Sequence, residues 1–100
     1  MLEKIRDDIS CFDIRSIFDV NGNTLLHIAV QNNNKRAVKL CLLAGFDINI
    51  QNRNTGDTAL HYCFSFNYIM LAEYLISKGA NTDIKNKKDL TPYEGTTLID

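Results

Sequence analysis

The side chains best suited to chemistry in this chain are two histidines, His27 and His61, and three cysteines, Cys11, Cys41 and Cys63. Together they could in principle hold zinc, which takes four nitrogen or sulfur ligands at one point. The spacing argues against it. The closest histidine and cysteine stand in His61-Tyr62-Cys63, where neighbouring side chains diverge if the segment is helical. A cysteine nucleophile would need a base within hydrogen-bond reach and a third group to orient that base. Cys41 and Cys63 instead fall on apolar helix faces, where a thiol packs as a small hydrophobe. Cys11 is the thiol expected near the surface, with nothing beside it to lower its pKa. An odd number of widely spaced cysteines does not make a disulfide framework. Gly22 and Gly56 are isolated turn residues rather than a phosphate-cradling loop. Asp13, Asp47 and Asp83 read as turn caps, and Lys85, Lys87 and Lys88 as a solvated loop tip. The expectation is a chain with no catalytic residue, no metal, no cofactor and no small-molecule substrate.

The histidines are informative for their positions. Thr24-Leu25-Leu26-His27 returns further along as Thr58-Ala59-Leu60-His61. Gly45-Phe46-Asp47-Ile48 follows the first at the same interval as Gly79-Ala80-Asn81-Thr82 follows the second. Thr91-Pro92-Tyr93-Glu94 opens a third unit, one position early against the strict period. Phe12-Asp13-Ile14 precedes Phe46-Asp47-Ile48 by one full period, so the pattern reaches both ends of the chain. A sequence that matches itself at such a fixed period signals a stack of supersecondary units.

Each unit has a physical interpretation. Thr24, Thr58 and Thr91 follow turn formers and precede apolar periodicity, as N-caps do. Thr91-x-x-Glu94 has the form of a capping box with Pro92 at the first helical position. In the other two units a histidine occupies the third place. The first helices are predicted from Thr24 to about Gln31 and from Thr58 to about Phe66, with turns at Asn32-Asn33-Asn34 and at Asn67. Second helices follow on the apolar faces Ala37, Val38, Leu40, Cys41, Leu42, Leu43 and Ile69, Leu71, Ala72, Leu75, Ile76. Gly45 and Gly79 stand where a left-handed C-cap favours glycine. The stretches from Ile48 to Asp57 and from Thr82 to Asp89 are extended and turn-prone, like hairpin loops.

This pattern resembles the ankyrin repeat family. The resemblance is carried by Gly22-Asn23-Thr24-Leu25-Leu26-His27-Ile28-Ala29, Leu42-Leu43-Ala44-Gly45-Phe46-Asp47-Ile48-Asn49, Gly56-Asp57-Thr58-Ala59-Leu60-His61 and Leu75-Ile76-Ser77-Lys78-Gly79-Ala80. It implies an all-α ankyrin repeat solenoid of helix-turn-helix units joined by hairpin-like loops. Residues 1–19 are expected to form a degenerate N-terminal capping segment, with Leu2, Ile5 and Ile9 on one helical face. Residues 20–52 and 53–85 form two repeats, and 86–100 a partial third. Each imidazole is expected to bond loop backbone and so tie one unit to the next. Leu25 and Ala59 replace the usual proline, and Cys63-Phe64 replaces a small alanine pair, so the packing there should be bulkier.

The chain has 45% hydrophobic residues and a net charge of -1, which suit ordinary globular folding. Both signs of charge are mixed along it, so nucleic acid is not an expected partner. Its longest apolar run, Leu40-Cys41-Leu42-Leu43-Ala44, is far below the roughly 20 residues of a membrane span, so no membrane insertion is expected. A cytoplasmic, soluble protein fits best. The resemblance implies an interaction module, a scaffold or adaptor binding another protein through a concave face of loop tips and first helices. In this chain those positions are Asn21, Asn23, Gln31 and Asn32, then Arg53, Asn54, Asp57, Ser65 and Phe66, then Lys87, Lys88 and Leu90. Phe66 is the aromatic anchor of that set. The alternative is a regulatory or substrate-recruiting segment of a larger enzyme or membrane protein.

Overall fold

Threonine caps set the start of every repeat unit. The computed structural model of the protein describes residues 14–97. After a 3-10 turn at Ile14–Ser16 come α1 (Leu25–Gln31), α2 (Lys35–Leu43), α3 (Ala59–Ser65), α4 (Ile69–Ser77) and α5 (Pro92–Thr97). Among the described residues there is no strand, so the loops between units are turns rather than paired hairpins. The amphipathic segment Leu2 to Ser10, with Cys11 and Asp13, lies outside the described residues.

Thr24 is extended, at φ -88° and ψ 173°, and its hydroxyl accepts the His27 N–H. His27 Nδ1 accepts the Thr24 N–H in return, at 3.0 Å. Thr58 and His61 repeat the exchange, with 2.9 Å for the return bond. Thr91 and Glu94 make the carboxylate version, at 3.0 Å and 3.4 Å. Two bonds to Thr91 hold Glu94 below the usual carboxylate pKa. Imidazole therefore does here what Glu or Gln does in an ordinary capping box.

The turns between paired helices rest on asparagine. Asn33 and Asn67 have φ of 51° and 62°, a left-handed conformation that asparagine tolerates better than most residues. Asn34 then caps α2 through its side chain, accepting the Ala37 N–H at 3.1 Å. The second helices end in paired Schellman bonds, Phe46 N–H to Cys41 O and Gly45 N–H to Leu42 O, matched by Ala80 to Leu75 and Gly79 to Ile76.

Burial follows the apolar faces. Leu26, Val30, Val38, Leu60, Cys63 and Leu75 are fully buried, and α1 packs on both α2 and α3, while α3 packs on α4 and α5. The first helices thus form the spine of the stack, and each second helix packs mainly on the first helix of its own unit. Phe64 lies against Tyr93 of the next unit, ring centroids 4.6 Å apart, which is the bulkier interface expected of Cys63-Phe64.

Candidate functional site

Both histidines are consumed by structure. His27 and His61 are buried, each with Nδ1 facing its capping threonine. Because Nδ1 accepts a backbone N–H, the ring proton sits on Nε2, which donates to a carbonyl of the following unit. The acceptors are Asp57 O at 3.0 Å for His27 and Leu90 O at 2.8 Å for His61. Burial holds His27 below its ordinary pKa, which keeps the ring neutral. Cys41 and Cys63 are free, buried thiols. Burial raises both, Cys63 to about 12. Among the described residues no cluster of His, Cys, Asp or Glu gathers as metal ligands.

The loops are organised by two asparagines that sequence inspection passes over. Asn52 is buried, and its Nδ2 donates to Asn21 O at 3.1 Å, Asn23 Oδ1 at 2.6 Å and Tyr62 Oη at 3.0 Å. Its Oδ1 accepts the N–H groups of Asn54 and Thr55. Asn86 holds the equivalent place one period on and repeats part of this, donating to Asp57 Oδ1 at 2.8 Å and accepting from the N–H groups of Lys88 and Leu90. That equivalence of position is the one sequence trace of their shared role. Asp47 caps its turn by accepting the Asn49 N–H, but in the next unit Asn81 fills that place and bonds the Asp83 N–H. Asp83 is therefore the capped residue there, not the cap.

Asn23 requires a correction as a surface residue. It is buried, and its Oδ1 is taken by Asn52 and by the Tyr62 hydroxyl at 2.6 Å. Burial raises the Tyr62 pKa, so that hydroxyl stays protonated and donates. Asn21 is exposed, with its carbonyl bonded to Asn52. Gln31 is half-buried and gives its carbonyl to Tyr68 Oη; Asn32 is exposed and folds its amide back onto Ile28 O. These first-unit residues stand apart from the rest.

Six of the remaining positions meet. Asn54, Asp57, Ser65, Lys87, Lys88 and Leu90 line one open groove of about 390 Å³, together with Thr55 and Asn86. The Asp57 carboxylate is held by Asn86 and the Thr55 hydroxyl. Lys87 Nζ donates to Arg53 O at 2.9 Å, and Lys85 pairs with Asp89 at 3.6 Å. Lys88 is exposed, and no contact among the described residues ties down its ammonium. Arg53 lies outside the groove with its guanidinium 4.4 Å from the Phe18 ring centroid. Phe66, next to Ser65, is 47% exposed. It is not a solitary aromatic, because its ring centroid lies 6.2 Å from that of Tyr62 and 5.6 Å from that of Tyr68.

Residues 5–86 match the family profile described as ankyrin repeats (3 copies). The chain belongs to the ankyrin repeat family. Ankyrin repeats generally mediate protein–protein interaction, and the repeat itself is a non-catalytic module. Relatives include the protein phosphatase 1 regulatory subunit 27 of Mus musculus, 44% identical over 66 residues, which are 66% of this chain and 42% of that protein. The BRCA1-associated RING domain protein 1 of Caenorhabditis elegans is 39% identical over 66 residues, 66% of this chain and 9% of the relative. The nuclear factor NF-kappa-B p105 subunit of Mus musculus is 36% identical over 78 residues, 78% of this chain and 8% of the relative. The chain spans less than half the length of each of these relatives. Among the described residues, no helix is long and apolar enough to cross a membrane.

Proposed function

We propose that this ankyrin stack is a protein-recognition module, a scaffold or adaptor that binds a partner protein through its loop tips and first helices. The observation that carries this is the groove joining Asn54, Asp57 and Ser65 to Lys87, Lys88 and Leu90, with a half-exposed Phe66 beside it. With unit boundaries at 20–52, 53–85 and 86–100, the groove crosses from the second unit to the third. The Asn54 amide N–H is already bonded to the Asn52 side chain, which fixes the loop before any partner arrives and lowers the ordering cost of binding. Phe66 supplies apolar contact, stiffened by Tyr62 and Tyr68; Ser65 and Lys88 supply polar contacts at the rim. The partner is another protein, recognised without cofactor, metal or small-molecule substrate. Cys41 and Cys63 as free thiols support a reducing compartment, and on this reading the cytoplasm.

A second reading has one observation in its favour. Each relative is much longer than the segment matched, and one is named as a phosphatase regulatory subunit. On that basis the chain is a regulatory or recruiting segment attached to a larger enzyme or membrane protein.

The test is a pull-down with the 100-residue chain as bait, followed by calorimetry with the partner identified. Phe66→Ala is expected to weaken binding by about 2 kcal/mol, the scale of an aromatic anchor. Arg53→Ala weakens it less, and Glu73→Lys on the second-helix side leaves it unchanged. A silent Phe66 alongside a dominant Glu73 refutes this choice of face.

A further inference from the structure

The second helices carry a surface of different chemistry on the other side of the stack. α2 carries Lys35, Arg36 and Lys39 with no acidic residue, and Lys78 caps α4. Between the two helices runs an open cleft of about 360 Å³. Leu42, Phe46 and Ile48 form its apolar floor, and Leu43, 75% exposed, forms its lip. Tyr74 is one wall, with Lys35 Nζ 4.8 Å and Lys78 Nζ 5.7 Å from its ring centroid. Lys39 and Lys78 line the cleft itself.

None of Lys35, Lys39 and Lys78 is paired with a carboxylate among the described residues. The nearest acids along the chain are otherwise directed. Asp47 accepts the Asn49 N–H, and Glu73 sits about 100° round α4 from Tyr74. Two ammonium groups, those of Lys39 and Lys78, therefore line an apolar cleft, and that of Lys35 stands over the ring of Tyr74, its wall, as that of Lys78 does. Apolar surface in such a cleft gains from an apolar side chain, and the unneutralised rim gains from carboxylates. A nucleic acid backbone satisfies only the rim.

We propose that this cleft docks an acidic linear segment of a partner protein. The segment places one large apolar side chain on Leu42, Phe46 and Ile48, and carboxylates on Lys35, Lys39 and Lys78. The cleft shares no lining residue with the loop-side groove, so the two surfaces can be occupied together and each can fail its test independently.

The probe is a fluorescein-labelled peptide, Glu-Asp-Leu-Phe-Glu-Glu-Asp, titrated with the full chain by fluorescence polarisation. Saturable binding is expected. It weakens by about tenfold or more in the Lys39→Glu, Lys78→Glu double variant, and similarly when sodium chloride is raised from about 50 to about 500 mM. Replacing Leu-Phe by Ser-Ser in the peptide abolishes it. Amide chemical shifts should move at Lys39, Phe46, Tyr74 and Lys78, with Ser65 and Lys88 unmoved. Both lysines are exposed, so the double variant keeps its helical circular dichroism; Lys78→Ala alone provides a milder version with the same direction. The proposal is overturned by no saturable binding, or by binding indifferent to either lysine variant. Shifts confined to Ser65 and Lys88 overturn it as well. So does lysine-dependent binding to phosphatidylserine vesicles without peptide binding, or self-association that the double variant abolishes.

Discussion

Replacing His61 by alanine should cost stability and little else. The imidazole accepts the Thr58 N–H at 2.9 Å and donates to Leu90 O at 2.8 Å, and it is 4% exposed. Alanine leaves both partners bare. Thr58 is 1% exposed, so water does not readily replace the lost bond to its N–H, and that loss costs about 1–3 kcal/mol. Leu90 is only half-buried, and its carbonyl can recruit water, so its share is about 0.5–1.5 kcal/mol. The sum is about 1.5–4.5 kcal/mol, a large part of the roughly 5–15 kcal/mol that holds a domain of this size together. In a urea titration followed by circular dichroism, the midpoint should drop accordingly, and Tm should fall by about 10 °C or more. Lys88→Ala, which removes an exposed ammonium with no partner among the described residues and leaves the backbone bond to Asn86 in place, serves as the control and should shift neither. A change below about 0.5 kcal/mol for His61→Ala, within the range of ordinary surface substitutions, refutes the inter-unit tie.

Other outcomes follow from the same geometry. His27 has a folded-state pKa below its unfolded value of about 6.5, so the unfolded chain takes up the proton first. Its contribution to stability is therefore complete above about pH 6.5 and is lost as pH falls through the folded value; the urea midpoint should decline on acidification, less steeply in His27→Gln. Cys63, buried and raised to about 12, should resist iodoacetamide in the native chain and react once denatured, as peptide mass mapping will show; rapid native labelling contradicts its burial. Gly22 has φ +83°, and a Cβ there would lie 2.6 Å from Asn52 Oδ1 and 2.7 Å from the Asn54 nitrogen. Gly22→Ala should therefore cost more than about 2 kcal/mol, while Gly79→Ala, at φ +97° with open space around it, costs only the backbone strain of about 1–2 kcal/mol. Equal losses in a denaturant titration contradict the close approach at Gly22.

What could be read from sequence divides by the distance between partners. Thr24 and His27, Thr58 and His61, Thr91 and Glu94 are each one helical turn apart, so local geometry brings them together and residue type alone discloses the cap. Gly45 and Gly79 are legible for the same reason. Asn52 is not, because its amide partners stand 31, 29 and 10 residues away. Asn23 misleads in the opposite sense. A polar residue in a turn suggests solvent, yet the Tyr62 hydroxyl that covers it belongs to the next unit. Phe66 reads as a lone aromatic until α3 and the following turn place Tyr62 and Tyr68 on either side. The loop-side groove itself gathers residues from 54 to 90, and only the stacking of α3 on α5 decides that they meet.

The two imidazole ties also have a direction. His27 reaches a carbonyl 30 residues later in the chain, and His61 one 29 residues later. During synthesis the fastener therefore leaves the ribosome before the strip it fastens. Each loop closes on residues that have already emerged, an order that favours assembly from the amino end towards the carboxyl end. A chain refolding from denaturant, with every residue present at once, loses that schedule and can begin at either unit. Until residues 57 and 90 emerge, each Nε2–H is left to water, and the bond between units forms only by displacing it.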